Sequence, residues 1–358
     1  MAKELILAIN PGSTSTKIAV FQNTKEVFLK NIKHSLEKLQ QYEKITDQYG
    51  FRKQIILEEL EGASFDVKDI RIIVGRGGVV KPIPSGVYRV NDRLTEDLKA
   101  GFLGEHASSL GGLIAKDIAE SLPDAEAFIA DPVVVDELND IARISGHPEI
   151  ERVSIFHALN QKAIARQHAK LVSARYEDLN LLVAHLGGGI TVGAHQKGRV
   201  IDVNQGLDGD GPFSPERTGT LPAGALVKLC FSGKYSEEEI RRMITGQGGL
   251  VAYLGTNDAQ EVEKRAQAGD EKAALIQDAM AYQVAKEIGA MSTVLNGEVD
   301  AILLTGGIAY GKPFVAAVKN RVIHLGPVYV YPGEDEMRAL AMNGLRVHSG
   351  EEEAMEYK

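Results

Sequence analysis

Two stretches of the chain share one alternation of apolar runs and polar turns. Residues 5–9 form a short apolar run leading into the turn-rich Asn10-Pro11-Gly12-Ser13-Thr14-Ser15, and residues 16–21 form a second apolar run. Leu181, 176 positions after Leu5, opens another copy: residues 181–185, then Gly187-Gly188-Gly189, then residues 190–194. A third extended stretch follows in each, residues 26–29 and residues 199–203. Strand, turn, strand, turn, strand predicts a meander. Two meanders so far apart predict two domains of one architecture. A chance pair of hydrophobic hairpins would leave the same trace.

Helical periodicity fills the remainder. Over residues 271–295, Val284, Ile288, Met291 and Leu295 recur at helical spacing, a stripe that reads as core. Two more helices are expected, over about 156–174 and about 215–231. Residues 300–304 read as a buried strand that ends at Thr305-Gly306-Gly307, with a helix from Pro313 onward. Strands alternating with helices predict an α/β class. The expected division is an N-terminal domain of residues 1–135 plus about 340–358, and a C-terminal domain of residues 136–339.

Bulk composition narrows the function classes. The chain has 358 residues, room for two domains. It is 44% hydrophobic and 25% charged, a balance usual for globular proteins. No apolar run is long enough to span a bilayer, and the apolar N-terminal run is too short for a secretory leader, so no membrane partner is expected. Cys230 is the only cysteine, which excludes an intrachain disulfide and suits a reducing, cytoplasmic setting. A net charge of −9 argues against general nucleic-acid binding.

Glycine marks three strand ends. The loop from Asn10 to Lys17, with Gly12, Ser13, Thr14 and Ser15, has the amides and hydroxyls that cradle phosphate. It joins strand to strand, unlike a Walker loop, which joins strand to helix and ends in Gly-Lys-Ser/Thr. By itself it also reads as a polar β-turn. Gly187, Gly188 and Gly189 end a buried strand and strip every side chain from one point, as close approach of a ligand or a bulge would require. Gly306 and Gly307 end another buried strand and read as a nucleoside or α-phosphate approach, or as a tight packing turn.

With these residues in view, the chain resembles the acetate and butyrate kinase family of the sugar kinase, heat-shock ATPase and actin superfamily, over nearly its whole length. Within it the butyrate kinases are the most similar. The resemblance is carried by Asn10-Pro11-Gly12-Ser13-Thr14-Ser15-Thr16-Lys17, Val74-Gly75-Arg76-Gly77-Gly78, Gly104-Glu105-His106-Ala107-Ser108, Ser154-Ile155-Phe156-His157-Ala158-Leu159-Asn160, His185-Leu186-Gly187-Gly188-Gly189 and the run from Gly209 to Gly219. It implies an actin-like (ribonuclease H-like) two-domain fold with a duplicated βββαβαβα core. It also implies use of ATP/ADP and Mg²⁺, a short-chain fatty acid and its acyl phosphate as partners, closure of the domains over substrate, and a homo-oligomer.

Site roles carried over by the resemblance are these. Asn10 sits near the transferring phosphoryl and the metal. Arg76 and Arg217 hold the carboxylate and the phosphoryl, His157 steadies the transition state and His106 supports it. Asp131 orders Mg²⁺, and Glu336 is the metal-side glutamate, with Glu334 as its alternative. Asp258 belongs to the adenine-side wall, where Gln260 stands in place of the acetate kinases' arginine. Lys17, Gly306 and Gly307 complete the nucleotide set. From the residues alone, His185 on its buried strand reads as structural; it joins the cofactor set only through its motif. Arg217, expected near a helix start, runs against the helix dipole, which favours a functional role.

The chemistry suits these residue types. Transfer to a carboxylate brings two anions together, and arginine's planar, permanently charged fork can meet both. A carboxylate is already ionised at neutral pH, so no general base is needed and His157 is expected to donate a hydrogen bond. A sugar or polyol kinase would need a carboxylate base; a chaperone-type or actin-type ATPase would work through partners. Acetate kinases read Arg-Val-Val-His-Gly-Gly where this chain reads Arg76-Gly77-Gly78-Val79-Val80. The bare Gly78 is expected to widen the acid pocket toward C4 acids, straight or branched, over acetate, with an acetate or propionate kinase of the same family as the alternative.

Overall fold

The computed structural model describes residues 5–101 and 106–358. Gly104 and Glu105 of the third motif, and the first four residues, lie outside the described residues. The chain divides into two compact units, Met1–Val135 with Asp335–Lys358, and Asp136–Glu334.

Unit one is built on strands β1 (Leu5–Pro11), β2 (Ser15–Gln22), β3 (Lys25–Lys33), β4 (Ile70–Arg76), β5 (Val87–Arg89) and β6 (Glu126–Ala130). Unit two holds β7 (Asn180–Leu186), β8 (Ile190–Gln196), β9 (Arg199–Val203), β10 (Ala301–Gly306) and β11 (Val328–Pro332); β12 (Met355–Glu356) returns to unit one. The sheet orders are β12-β5-β6-β4-β1-β2-β3 and β11-β10-β7-β8-β9. Each contains the same five-strand pattern, an antiparallel meander whose first strand is joined in parallel by two later strands. The central parallel strands are mostly apolar and buried, as in other α/β sheets covered by helices. β7 and β10 have no exposed residue.

In unit one, Ile6–Ile9 and Ile72–Val74 are fully buried, each large side chain contributing roughly 1.5–3 kcal/mol. Helix Ser109–Glu120 lies directly on β4. A Cβ at Gly75 would fall 2.1 Å from the Gly111 carbonyl oxygen, and one at Gly111 would fall 2.7 Å from the Arg76 nitrogen. Only glycine permits so close an approach. Helix Glu336–His348 packs on the same sheet, where Gly344 meets Val74 and Ile72. In unit two, helix Glu271–Val294 buries Met280, Val284, Ile288 and Met291, the stripe expected from its spacing.

One expected helix is wrong in extent. Over the span 215–231 the structure has a helix only at Ala223–Cys230. Pro222 cannot continue a helix backward, and Gly209, Gly211 and Gly219 take positive φ of 77°, 70° and 60°. Residues 204–222 are therefore irregular, and Arg217 is not at a helix start, so the dipole argument for it falls. The short helix has no buried residue, and Phe231 beyond it is 87% exposed.

Candidate active site

Parallel α/β sheets place ligands outside the carboxyl ends of their strands. In unit one those ends carry Asn10 on β1, Arg76 on β4 and Asp131 just after β6. Asn10, Arg76 and Glu336 close a triangle. Arg76 donates to Asn10 Oδ1 at 3.3 Å and pairs with Glu336 at 3.2 Å, while the Asn10 amide donates to the other Glu336 oxygen. Each member orients the next. Asp131 is 2% exposed and accepts from Ser85 Oγ at 2.6 Å and the Gly86 amide at 3.0 Å. Its φ of +38°, uncommon outside glycine, turns the chain just before Pro132. Lys17 stands opposite Asn10 across the β1–β2 pair, so the two side chains share a face.

His106 accepts the Ser108 amide at Nδ1, 3.2 Å away, with the Ser108 hydroxyl 2.7 Å from the same nitrogen. Crowding by protein atoms, then the Arg76 charge, lowers its pKa although its outer face is exposed. With Nδ1 accepting, the neutral ring carries its proton on Nε2.

The first glycine loop is held from beneath by a residue that sequence reasoning missed. Arg52, 1% exposed on helix Tyr49–Gly62, donates to the carbonyl oxygens of Gly12 (2.7 Å), Ser13 (3.0 Å) and Ser15 (3.1 Å) and to Thr16 Oγ1 (3.1 Å). Its remaining bonds go to Gln48 Oε1, a neutral group. Burial lowers its pKa to about 10. With the loop carbonyls turned down onto a cation, positive charge backs the loop's outer face, where an anion would sit.

Unit two assembles a second set. His157 immediately precedes helix Ala158–Leu171; it is not inside the expected helix of residues 156–174. Its ring stacks on His185 with centroids 3.9 Å apart. His185, 2% exposed, has Asn160 Oδ1 at 3.0 Å from Nδ1 and a Glu334 oxygen at 3.3 Å from Nε2. Arg217 donates to the Gly206 carbonyl, and its pKa is lowered by burial against the opposing pull of Glu216.

The glycines of the second loop have distinct reasons. A Cβ at Gly189 would lie 1.9 Å from Arg217 Nη1, and one at Gly187 would lie 2.9 Å from His185 Nε2. At Gly188 the nearest atom is 3.7 Å away. Two of the three are thus bare to admit the protein's own Arg217 and His185, and one opens outward.

Gly187, Gly188 and Gly307 line a cleft of about 540 Å³ with Leu250, Val262, Met280 and Phe314 as apolar wall. Asp258 and Gln260 line it too, and Asp258 caps helix Ala259–Gln267 through the Gln260 and Glu261 amides. This volume and lining suit a nucleoside. Gly306 is explained differently: its φ is +93°, and a Cβ there would lie 2.3 Å from the Leu186 carbonyl oxygen. It is a packing turn.

The structure corrects the reading of Gly78. A Cβ there would meet Ser109 Oγ at 2.4 Å and Leu98 Cδ2 at 2.6 Å, and one at Gly77 would meet Pro132 at 2.6 Å. These glycines let protein elements touch each other; they do not widen an acid pocket.

The acetokinase family model matches residues 149–340. Butyrate kinase 2 and butyrate kinase 1 of Clostridium acetobutylicum are each 56% identical to the chain over 353 residues, 99% of this chain and 99% of each relative. The chain belongs to the acetokinase family. The solved acetate kinase of Porphyromonas gingivalis superposes with a TM-score of 0.80 at 16% identity, over 96% of this chain and 100% of that one. That likeness shows the two-domain actin-like fold. As a family member this chain is a carboxylate-directed kinase. Its motif residues fall on strand ends and loops in both units, with Glu336 in the Asn10 and Arg76 set and Glu334 in the His185 set.

Proposed function

We propose that the protein phosphorylates the carboxylate of butyrate, or of a branched C4 or C5 acid, with ATP, giving the acyl phosphate and ADP reversibly. The observation that carries this is the 56% identity to two butyrate kinases across 99% of the chain. Arg76, oriented by Asn10 and Glu336, meets the acid's carboxylate. The Gly12–Ser15 loop, backed by Arg52, takes phosphate oxygens. The unit-two cleft takes the adenosine, with Asp258, Gly188 and Gly307 on its wall. Arg217 and His157 neutralise and hydrogen-bond the moving phosphoryl, a contribution of about 10³–10⁵ in rate for such an arginine.

The donor set also fits Mg²⁺. That ion takes one or two carboxylates and keeps several waters. No group of three or more His, Cys, Asp or Glu side chains stands ready to cage a metal among the described residues. Asp131 and Glu336, with Asn10, would hold it, and when bound it neutralises charge on the phosphate oxygens.

The exposed apolar segment Ala223–Cys230 with Phe231 supports a homo-oligomer. We place the reaction in the cytoplasm, where ATP is held and Cys230 stays a thiol.

The deciding experiment is a kcat/KM series over straight and branched C2–C6 acids, with ATP, Mg²⁺ and hydroxylamine to trap acyl phosphate as hydroxamate. A maximum at C4 or C5 is expected. A maximum at acetate, or turnover that ignores the acid, overturns the reading.

A further inference from the structure

A buried hydrogen-bond chain runs from Tyr176 to His157, and its direction is fixed from Tyr176 as far as Thr191. Gln161 Nε2 lies 3.1 Å from the Thr191 backbone oxygen, which can only accept. That settles which end of the Gln161 amide is which. Its Oε1 therefore faces His195 Nε2 at 2.9 Å, and that nitrogen must carry a proton. His195 is fully buried, and burial together with Lys162 and Arg166 keeps its pKa well below the ordinary value. Being neutral, it has a lone pair on Nδ1, which accepts from the Tyr176 hydroxyl at 2.7 Å.

The other end turns on the Thr191 hydroxyl. Gln161 Nε2 also donates to Thr191 Oγ1 at 2.9 Å. That oxygen keeps its one proton to give, and His157 Nδ1, also 2.9 Å away, lies within reach of it. Two glycines make room. A Cβ at Gly193 would fall 2.6 Å from Gln161 Oε1, and one at Gly206 would fall 2.8 Å from the Thr191 methyl. The methyl seat fixes the rotamer that aims the hydroxyl at His157.

We propose that Tyr176, His195, Gln161 and Thr191 are positioning residues that hold His157 as its Nε2–H tautomer. This rests on the reading of His157 as a donor to the transferring phosphoryl. The opposite tautomer would turn a lone pair toward phosphate oxygens and repel them. These four residues act on the reacting atoms only through His157.

The test is ¹⁵N NMR of histidine-labelled enzyme, with His157 assigned by its loss in His157→Gln. The expected wild-type spectrum shows Nδ1 as pyridine-type and Nε2 as pyrrole-type. Thr191→Ser, which keeps the hydroxyl, should retain that signature and nearly full kcat. Thr191→Val should mix the tautomers and lower kcat about ten-fold or more, with KM for ATP little changed. An Nδ1–H tautomer in wild type, or an unaltered tautomer in Thr191→Val, overturns the proposal. Should Thr191→Val fail to fold, Gln161→Leu and the wild-type spectrum decide it. Failure of the donor reading looks different: His157→Gln would keep wild-type kcat while the tautomer was as expected.

Discussion

Arg52 Nη1 donates to the Gly12 carbonyl oxygen at 2.7 Å, joining residues forty apart in sequence. That bond and its companions to Ser13 and Ser15 set the direction in which the loop's amides point. Replacing Arg52 with Met removes the donor from the Gly12 and Ser13 carbonyls, while Ser15 keeps the Gly12 amide, so a loss of about 2–4 kcal/mol is expected. Arg52→Lys keeps the charge but not the fork. It should fold nearly as well while raising KM for ATP about ten-fold. Urea titration and steady-state kinetics on both variants separate the two effects; an unchanged KM in Arg52→Lys would remove the loop-shaping role.

His34 gives the same region a dependence on pH. Its Nε2 bonds Thr16 Oγ1 at 2.8 Å, while its Nδ1 is buried without a partner. Burial, and then the Arg52 charge, lowers its pKa to about 4. Above about 6.5 both folded and unfolded chains are neutral there, and the contribution is complete. As pH falls toward 4 the unfolded chain takes the proton first, so stability declines across that window by about 1–2 kcal/mol. His34→Gln should flatten the decline in denaturation curves taken from pH 4 to 7.

Glu287 works in the opposite direction. Burial, and then Asp210, raises its pKa to about 7 from an ordinary 4.5. The native state keeps the proton between those values, so stability is lost as pH rises through 7. Glu287→Gln should raise the stability at pH 8 by about 2 kcal/mol and leave it unchanged at pH 4. Equal melting temperatures at pH 8 would contradict this.

Gly188 and Gly189 are neighbours with different expected phenotypes. Gly189→Ala puts a methyl group where the Arg217 guanidinium lies, and the displaced arginine should lower kcat/KM about 100-fold. Gly188→Ala meets nothing closer than 3.7 Å and points to the cleft wall. It should melt like wild type and raise KM for ATP a few-fold. Kinetics and melting curves for the pair, run side by side, check both.

Phe231 tests the oligomer. It is 87% exposed, so Phe231→Glu removes no intrachain packing. Light scattering after gel filtration should report a smaller species than wild type; identical masses would place the contact elsewhere.

How much was legible before the structure varies by element, for physical reasons. The two meanders and β10 were visible as short apolar runs between glycine-rich or polar turns, whereas β4, β5, β6, β11 and β12, with charged residues or only a few positions, were not read. The expected helix over 215–231 failed because Leu226, Val227 and Phe231 look like core residues, yet that helix buries nothing. Asn10, Arg76 and Glu336 were legible only through motifs; their triangle depends on a chain return no local pattern announces. Arg52 carries no motif at all, since its meaning lies in carbonyls far away in sequence. Gly78 was misread because its true neighbours, Ser109 and Leu98, come from helices beyond it. Glycine next to a functional residue reports crowding by something, and sequence cannot say by what.

The return of the chain at Asp335 has a consequence for biosynthesis. Helix Glu336–His348 lies on β1 and β4, β12 pairs with β5, and the Tyr357 hydroxyl bonds buried Asp97. A ribosome delivers all of these after residues 136–334. The inserted unit can complete its core during translation, while the first 135 residues wait with part of their sheet uncovered. Late truncations should therefore damage the earliest-made part of the molecule, and a nascent chain stalled near residue 334 would present one finished unit and one client for chaperones.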